Sequence, residues 1–220
     1  MIKKIRKSDF DANTADFEQV NKKYYQEKED YDWTEVTDNI KGLESFFHRL
    51  REKNLVKLIK KYGQGQGGAF LDAGCGTGLI LRHLPENSIG LDINPRNIEK
   101  ARQYLPHRQI ILGDVEKIPF ENDKFTTVIV SEVLEHLPKP EHALKEILRV
   151  LKPGGVLVGT VPRKCLFWKL RVLSSTHPGE PYHKEYQKFE LEKLLASQKI
   201  VLIRATNFYM TWAFVIEKQS

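Results

Sequence analysis

Two cysteines in 220 residues, Cys75 and Cys165, are too few for a disulfide framework, and neither belongs to a CxxC pair of the kind that holds a structural metal. A reducing cytoplasm is therefore the expected compartment. No apolar run approaches the length of a membrane span. The basic start Met1-Ile2-Lys3-Lys4-Ile5-Arg6-Lys7 is followed by charged and polar residues where a secretory leader needs an apolar core. A dominant charge is also lacking: 35 Lys and Arg against 29 Asp and Glu leave a net +6, which admits acidic or phosphorylated partners without demanding them. No repeat of ~20–50 residues is evident. The only low-complexity tract, Gly63-Gln64-Gly65-Gln66-Gly67-Gly68, reads as a connector between a helix and a strand, because glycine is costly inside either. With 40% hydrophobic residues the chain suffices for one good-sized domain, burying about 70% of its unfolded surface.

What the chain does have is Leu71-Asp72-Ala73-Gly74-Cys75-Gly76-Thr77-Gly78, an apolar run that ends in an acid and then places glycine at every second position. A short strand, Ala69 to Leu71, delivers the chain to a loop where glycine permits both positive φ and close backbone approach of a ligand. A helix around Leu79 to Leu84 is expected to point its N-terminus at that ligand. The third glycine comes two residues after the second, where the dinucleotide fingerprint wants three, so a pyrophosphate is not the favoured guest. A second apolar strand, Ser88 to Ile93, carries Asp92 about 20 residues on, where such folds place the acid that accepts ribose hydroxyls. A third, Gln109 to Leu112, ends at Gly113-Asp114-Val115. Successive strands thus deliver acids to one sheet edge, where ligands of open α/β sheets bind.

These segments, with VSEVLEHL at 130–137 and LKPGGVL at 151–157, resemble in order the motifs of the class I S-adenosylmethionine-dependent methyltransferases, over roughly residues 43–217. The resemblance is of the methyltransferase type 11 kind. It implies that Gly74 and Gly76 pack against the methionyl moiety, that Asp72 lies near its ammonium and that Asp92 binds the ribose. Ile93 and Val115 would flank the adenine, Asp114 would hold its exocyclic nitrogen, and Ala73 and Ser131 would complete the cofactor site. The implied fold is a Rossmann-like α/β structure: a seven-stranded, mostly parallel sheet of order 3-2-1-4-5-7-6 with helices on both faces.

Methyl transfer needs the acceptor atom held in line with the methyl–sulfur bond, and a hydroxyl acceptor needs help losing its proton from a base or a metal. Glu132, Glu135 and His136 stand at i, i+3 and i+4, which puts all three on one face if the chain is helical there. Glu135 and His136 are the candidate catalytic groups. The E-x-x-E-H string resembles that of ubiquinone-pathway O-methyltransferases and small-RNA 2′-O-methyltransferases, where it is associated with a divalent cation. That likeness makes Glu132, Glu135, His136 and a later histidine, His183 or His177, candidate ligands for Mg or Mn.

Apolar positions from Leu43 to Ile59 recur at helical spacing, so a helix is expected from Gly42 to Tyr62. Lys124–Ser131 reads as a buried strand, Pro140–Leu151 as an amphipathic helix, Gly155–Val161 as a strand, and Lys199–Ala205 with Trp212–Lys218 as a closing pair. Pro153-Gly154-Gly155 is expected as the turn ending the helix. Residues 1–40, with Tyr24, Tyr25, Tyr31 and Trp33, resemble the helical lid many family members fold over the cofactor, leaving 41–220 as the methyltransferase domain. The stretch Arg163 to Arg171 mixes cations and aromatics, which suits a lid facing single-stranded nucleic acid or an anionic lipid. The resemblance implies O-methylation of a small metabolite by a protein without stable membrane insertion. RNA or a membrane-associated lipid are further candidate partners. RNA 2′-O-methylation, N-methylation, a non-catalytic cofactor-binding partner subunit and a dehydrogenase stand as alternatives.

Overall fold

The computed structural model describes residues 15–27, 32–39, 42–63, 68–165 and 182–219. Tyr31, His177, the cation–aromatic stretch Leu166 to Arg171 and the middle of the glycine-rich connector lie outside the described residues. The described elements are α1 (Ala15–Glu27), α2 (Trp33–Asn39), α3 (Leu43–Tyr62), β1 (Phe70–Ala73), β2 (Ile89–Asp92), α4 (Pro95–Tyr104), β3 (Gln109–Leu112), β4 (Phe125–Ser131), α5 (Pro140–Val150), β5 (Leu151–Pro162), α6 (Lys188–Leu195), β6 (Lys199–Thr206) and β7 (Thr211–Glu217). The strands form one sheet of order β3-β2-β1-β4-β5-β7-β6, the expected one. The neighbours from β3 to β5 run parallel; β7 is antiparallel to both β5 and β6.

Alternation along β4 explains the layering. Val128 and Val130 face one side of the sheet, where α5 and α6 bury Ala143, Leu144, Ile147, Leu191 and Leu195. Ile129 faces the other side, against Leu55, Leu58 and Ile59 of α3 and Ile98 and Ala101 of α4. With both faces covered, the central strands read as near-continuous apolar runs. Helix starts follow local chemistry: Asn94 accepts the Arg96 N–H with Pro95 at the first helical position, and Gln187 with Glu190 makes a capping box for α6.

Two expectations are corrected. The helix expected at Leu79–Leu84 is a single 3-10 turn, Leu81–His83. Pro85 stops it, since the residue before a proline is pushed to extended backbone, and Leu84 stands at φ −84°, ψ 164°. The Pro153-Gly154-Gly155 turn does not separate α5 from β5. Leu151 already pairs with Phe125, and the register resumes at Thr127 with Val156, so the intervening residues bulge inside the strand. Gly154 takes the left-handed φ of 71° there and donates its N–H to the Lys218 carbonyl.

Gly159 in β5 leaves room for Phe214 of β7: a Cβ at this position would stand 2.3 Å from the ring Cζ. Phe214 is fully buried and has nowhere to retreat. Gly159→Ala is expected to destabilise by about 1–3 kcal/mol, the range for overpacking. Urea denaturation checks this, with Phe214→Leu in the same chain recovering part of the loss because the two sites touch.

Candidate functional site

β1 and β2 end side by side, with Asp72 paired to Gly90 and Ala73 to Leu91, so the loop after β1 is laid across the end of β2. Gly74 and Cys75 both donate their N–H to the Leu91 carbonyl, at 2.7 and 2.9 Å. Gly74 has φ 84°, and a Cβ there would lie 2.3 Å from Val133 Cγ2, so both conformation and space demand glycine. Ala73 is fully buried beneath the loop. Gly76, at φ 53°, donates its N–H to Asp92 Oδ2 at 2.8 Å and faces the indole of Trp33 from α2. Thr34 of α2 clamps the loop from above by donating its backbone N–H to Thr77 Oγ1 at 3.1 Å.

Asp72 and Asp92 are both buried. Asp92 spends its carboxylate on internal donors: Oδ2 on Gly76, Oδ1 on the Asn94 N–H at 2.9 Å and on Asn97 Nδ2 at 3.2 Å. A carboxylate offers about four lone-pair sites, so acceptor capacity remains for a ligand hydroxyl. Burial pushes the Asp92 pKa up, against the pull of these hydrogen bonds. Asp72 is less compensated. Its Oδ2 has no hydrogen-bond partner among the described residues, and burial, aided by the charge of Asp92, lifts its pKa to about 7. No cation is among the groups that set either acid's protonation. A cationic ligand group at Asp72 would restore its ionised form, so this part of the site fits a ligand that is positive at one end and hydroxylated at the other.

Asp114 is treated differently. Lys22 of α1 lies 2.6 Å from its Oδ2 and 3.1 Å from Glu116, while its Oδ1 accepts the Glu116 N–H. Ile93 is half-buried and Val115 buried on either side of the gap between β2 and β3. Ser131, at the end of β4, shares a 3.1 Å hydrogen bond with Thr160.

After β4 the structure departs from the expected helical face. Glu132 has φ 54°, a left-handed conformation uncommon for a non-glycine residue, and the only helical turn is the 3-10 segment Leu134–His136. Glu132 therefore points at Arg51, with Oε2 3.4 Å from the guanidinium. Glu135 is buried, its Oε1 3.9 Å from His136 Nε2. His136 Nδ1 is hydrogen-bonded to the Tyr25 hydroxyl at 2.8 Å, and its carbonyl accepts Asn21 Nδ2. His183 stacks edge-on to His136, ring centroids 5.4 Å apart. His136 thus stands beside both Glu135 and His183, while Glu132 Oε2 faces Arg51. Among the described residues, no group of three or more His, Cys, Asp or Glu converges in a way that would hold a metal ion.

Sequence reasoning missed the groups that α1 brings: Asn21 and Lys22, and the hydroxyl role of Tyr25. It also missed Asn94 and Asn97, which hold Asp92 and, through Asn94 Nδ2, the Tyr25 carbonyl at 3.0 Å. Only the Asn-Pro pair, a helix-start signal, marked Asn94.

Because Asp72 has a folded pKa near 7 and an ordinary carboxylate pKa when unfolded, the native state binds the extra proton between those values. Stability contributed by this group is therefore full below the unfolded value, falls as pH rises, and is lost above about pH 7, a change on the order of 4 kcal/mol. Asp72→Asn should melt above the parent at pH 8 and close to it at acid pH. Identical pH profiles for the two proteins would refute the assignment.

Residues 71–159 match the family model described as a methyltransferase domain. The chain is 35% identical over 123 residues to 2-methyl-6-phytyl-1,4-hydroquinone methyltransferase 2, chloroplastic, of Oryza sativa subsp. japonica, covering 53% of this chain and 35% of that protein. It is 34% identical over 120 residues to sterol 24-C-methyltransferase erg6 of Aspergillus fumigatus, covering 50% of this chain and 32% of that protein. The chain thus spans about a third of the length of these curated relatives. Among solved structures, magnesium protoporphyrin IX methyltransferase from Synechocystis PCC 6803, determined with bound SAH, superposes with a TM-score of 0.69. That match covers 92% of this chain and 99% of that one at 16% identity, which speaks to the fold.

Proposed function

We propose that this chain, whose residues 71–159 match the methyltransferase domain model, is a class I S-adenosylmethionine-dependent methyltransferase acting on a small-molecule acceptor. The observation that carries the reading is the buried acid pair at the glycine loop: Asp72, whose Oδ2 has no hydrogen-bond partner among the described residues, beside Asp92. S-adenosylmethionine supplies an electrophilic methyl on a sulfonium, and its ammonium and ribose hydroxyls match what these two acids lack. Asp72 takes the ammonium and ionises fully in doing so. Asp92 accepts a ribose hydroxyl while Gly76 and Asn94 hold it in place. Ile93 and Val115 sandwich the adenine, and Asp114 accepts its amino group once Lys22 yields part of the carboxylate. Ala73 and Gly74 let the loop approach the methionyl chain closely, and Ser131 closes the site from β4.

On the acceptor side, His136 is the group suited to take a hydroxyl proton, consistent with O-methylation. Tyr25 holds Nδ1 of the ring, which leaves Nε2, 3.9 Å from the buried Glu135 carboxylate, as the nitrogen to take the proton. The acceptors in the relatives' names, a phytyl hydroquinone and a sterol, support a small, largely apolar acceptor. RNA 2′-O-methylation leaned on a cation set, and no converging group of that kind is found among the described residues. Residues 1–40 act as a lid through α1 and α2, over a methyltransferase domain of 41–220. Two free cysteines suit a cytoplasmic setting, and among the described residues no helix is long and apolar enough to cross a membrane.

Isothermal calorimetry with S-adenosylmethionine and S-adenosylhomocysteine tests the reading; absence of binding to either by folded protein would overturn it. Asp92→Ala should weaken binding by about 1–3 kcal/mol, the cost of leaving bound hydroxyls without a charged acceptor. Affinity should rise from pH 6 to pH 8 as Asp72 ionises, and Asp72→Asn should bind weakly with no such dependence. In a labelled-methyl assay against metabolite, lipid, RNA and protein fractions, His136→Ala should lose turnover while keeping cofactor affinity.

A further inference from the structure

β6 and β7 are joined by a turn in which three consecutive non-glycine residues, Asn207, Phe208 and Tyr209, take left-handed φ values of 52°, 55° and 64°. Bulky aromatic residues rarely adopt this conformation. The turn is held there from several sides: Asn54 of α3 donates Nδ2 to Asn207 Oδ1 at 2.8 Å, and Arg163 donates its backbone N–H to the Met210 carbonyl and Nη1 to the Tyr209 carbonyl. Its effect is to thrust Phe208 and Tyr209 outward, 63% and 70% exposed. Phe46, 46% exposed at the start of α3, adjoins Phe208 with ring centroids 6.2 Å apart.

The outer face of α3 continues this patch. Phe46, Arg49, Lys53, Lys57 and Lys60 follow one another at three- and four-residue steps, a single helix stripe, and all are exposed. From Ser45 to Tyr62 every exposed charged residue is a cation. The one acid in that span, Glu52, is buried against Arg82 and His83. On the hairpin, Arg204 is the only charged residue between Val201 and Ile216. A protruding aromatic tip beside an all-cationic helix face is the make-up of a surface that lies on an anionic membrane: aromatics enter the headgroup region and lysines meet the phosphates.

We propose that the outer face of α3 and the β6–β7 tip form a docking surface for an anionic phospholipid bilayer. Single-stranded nucleic acid is the poorer fit, since the Phe46, Phe47 and Phe208 rings turn their faces on one another, Phe47 and Phe208 at 88°, instead of offering a flat face to a base. The tip adjoins the carboxyl end of β5, with Thr211 paired to Pro162, so it lies on the same sheet edge as the glycine loop. Docking would turn the mouth of the site toward the bilayer; that use rests on the methyltransferase reading, whereas the surface itself does not.

The test is flotation of the full chain with phosphatidylcholine vesicles with and without phosphatidylglycerol. The parent should float only with the anionic vesicles and be released by salt. Phe208→Ser with Tyr209→Ser, and separately Lys53→Glu with Lys57→Glu, should each lower partitioning about tenfold or more. The lysine pair is fully surface-borne, so its fold should survive, which a melting curve verifies. A parent that stays in solution with both vesicle types, variants that float like the parent, or capture of a single-stranded RNA oligonucleotide without vesicle uptake would each overturn the proposal. Calorimetry with S-adenosylhomocysteine on the same preparations reports the methyltransferase reading separately, since none of these substitutions touches the cofactor site.

Discussion

Two carboxylates forced into one dry corner govern this structure. Asp72 and Asp92 end adjacent parallel strands, and among the described residues neither has a neutralising cation beside it. Asp92 is tolerated because Gly76, Asn94 and Asn97 direct donors at it, and charge-assisted hydrogen bonds of this kind are strong. Asp72 has a Leu81 backbone hydrogen bond but an unpartnered Oδ2 among the described residues, and it answers by holding its proton more tightly. A fold selected for stability alone would bury apolar residues here. Burial gives the pair a low-dielectric setting, in which a single ion pair with a cationic group would count for much.

The N-terminal helices complete this edge in an asymmetric way. Lys22 compensates Asp114, the third strand-end acid, from outside the sheet, and Tyr25 engages His136. Asn94 ties α1 to the acid pair, donating to the Tyr25 carbonyl with its side chain and to Asp92 with its backbone. Movement of α1 would therefore be felt at Asp92, Asp114 and His136 together, since its contacts bridge β2, β3 and the segment after β4. The outer edge of the same layer carries the aromatic hairpin tip, where backbone strain is offset by anchoring to Asn54 and Arg163.

Much of the fold was legible from local pattern. Apolar runs closed by acids located β1, β2 and β3 within a residue or two, and the three- and four-residue rhythm from Leu43 onward located α3. Errors fell where local and tertiary preferences compete. Leucine-rich Leu79–Leu84 looked helical, but a single proline limits it to one turn. The glycines at 154 and 155 looked like a helix stop, but β5 begins before them because Leu151 finds Phe125 across the sheet. At the site, Glu132, Glu135 and His136 shared a helical face only on paper; the left-handed backbone at Glu132 sends one carboxylate to Arg51.

Sequence by itself determined the strand-end acids and the glycine loop, because these depend on period, turn chemistry and spacing within short windows; the strand order was implied by the family resemblance. Tertiary structure alone decided which acids find cations, where α1 lands, that no cation cage forms after β4 among the described residues, and that α3 and the hairpin tip share one exposed face. Those outcomes join residues distant in sequence, Asn54 and Asn207 being 153 positions apart. Their partners are selected by packing in three dimensions, which no local window contains.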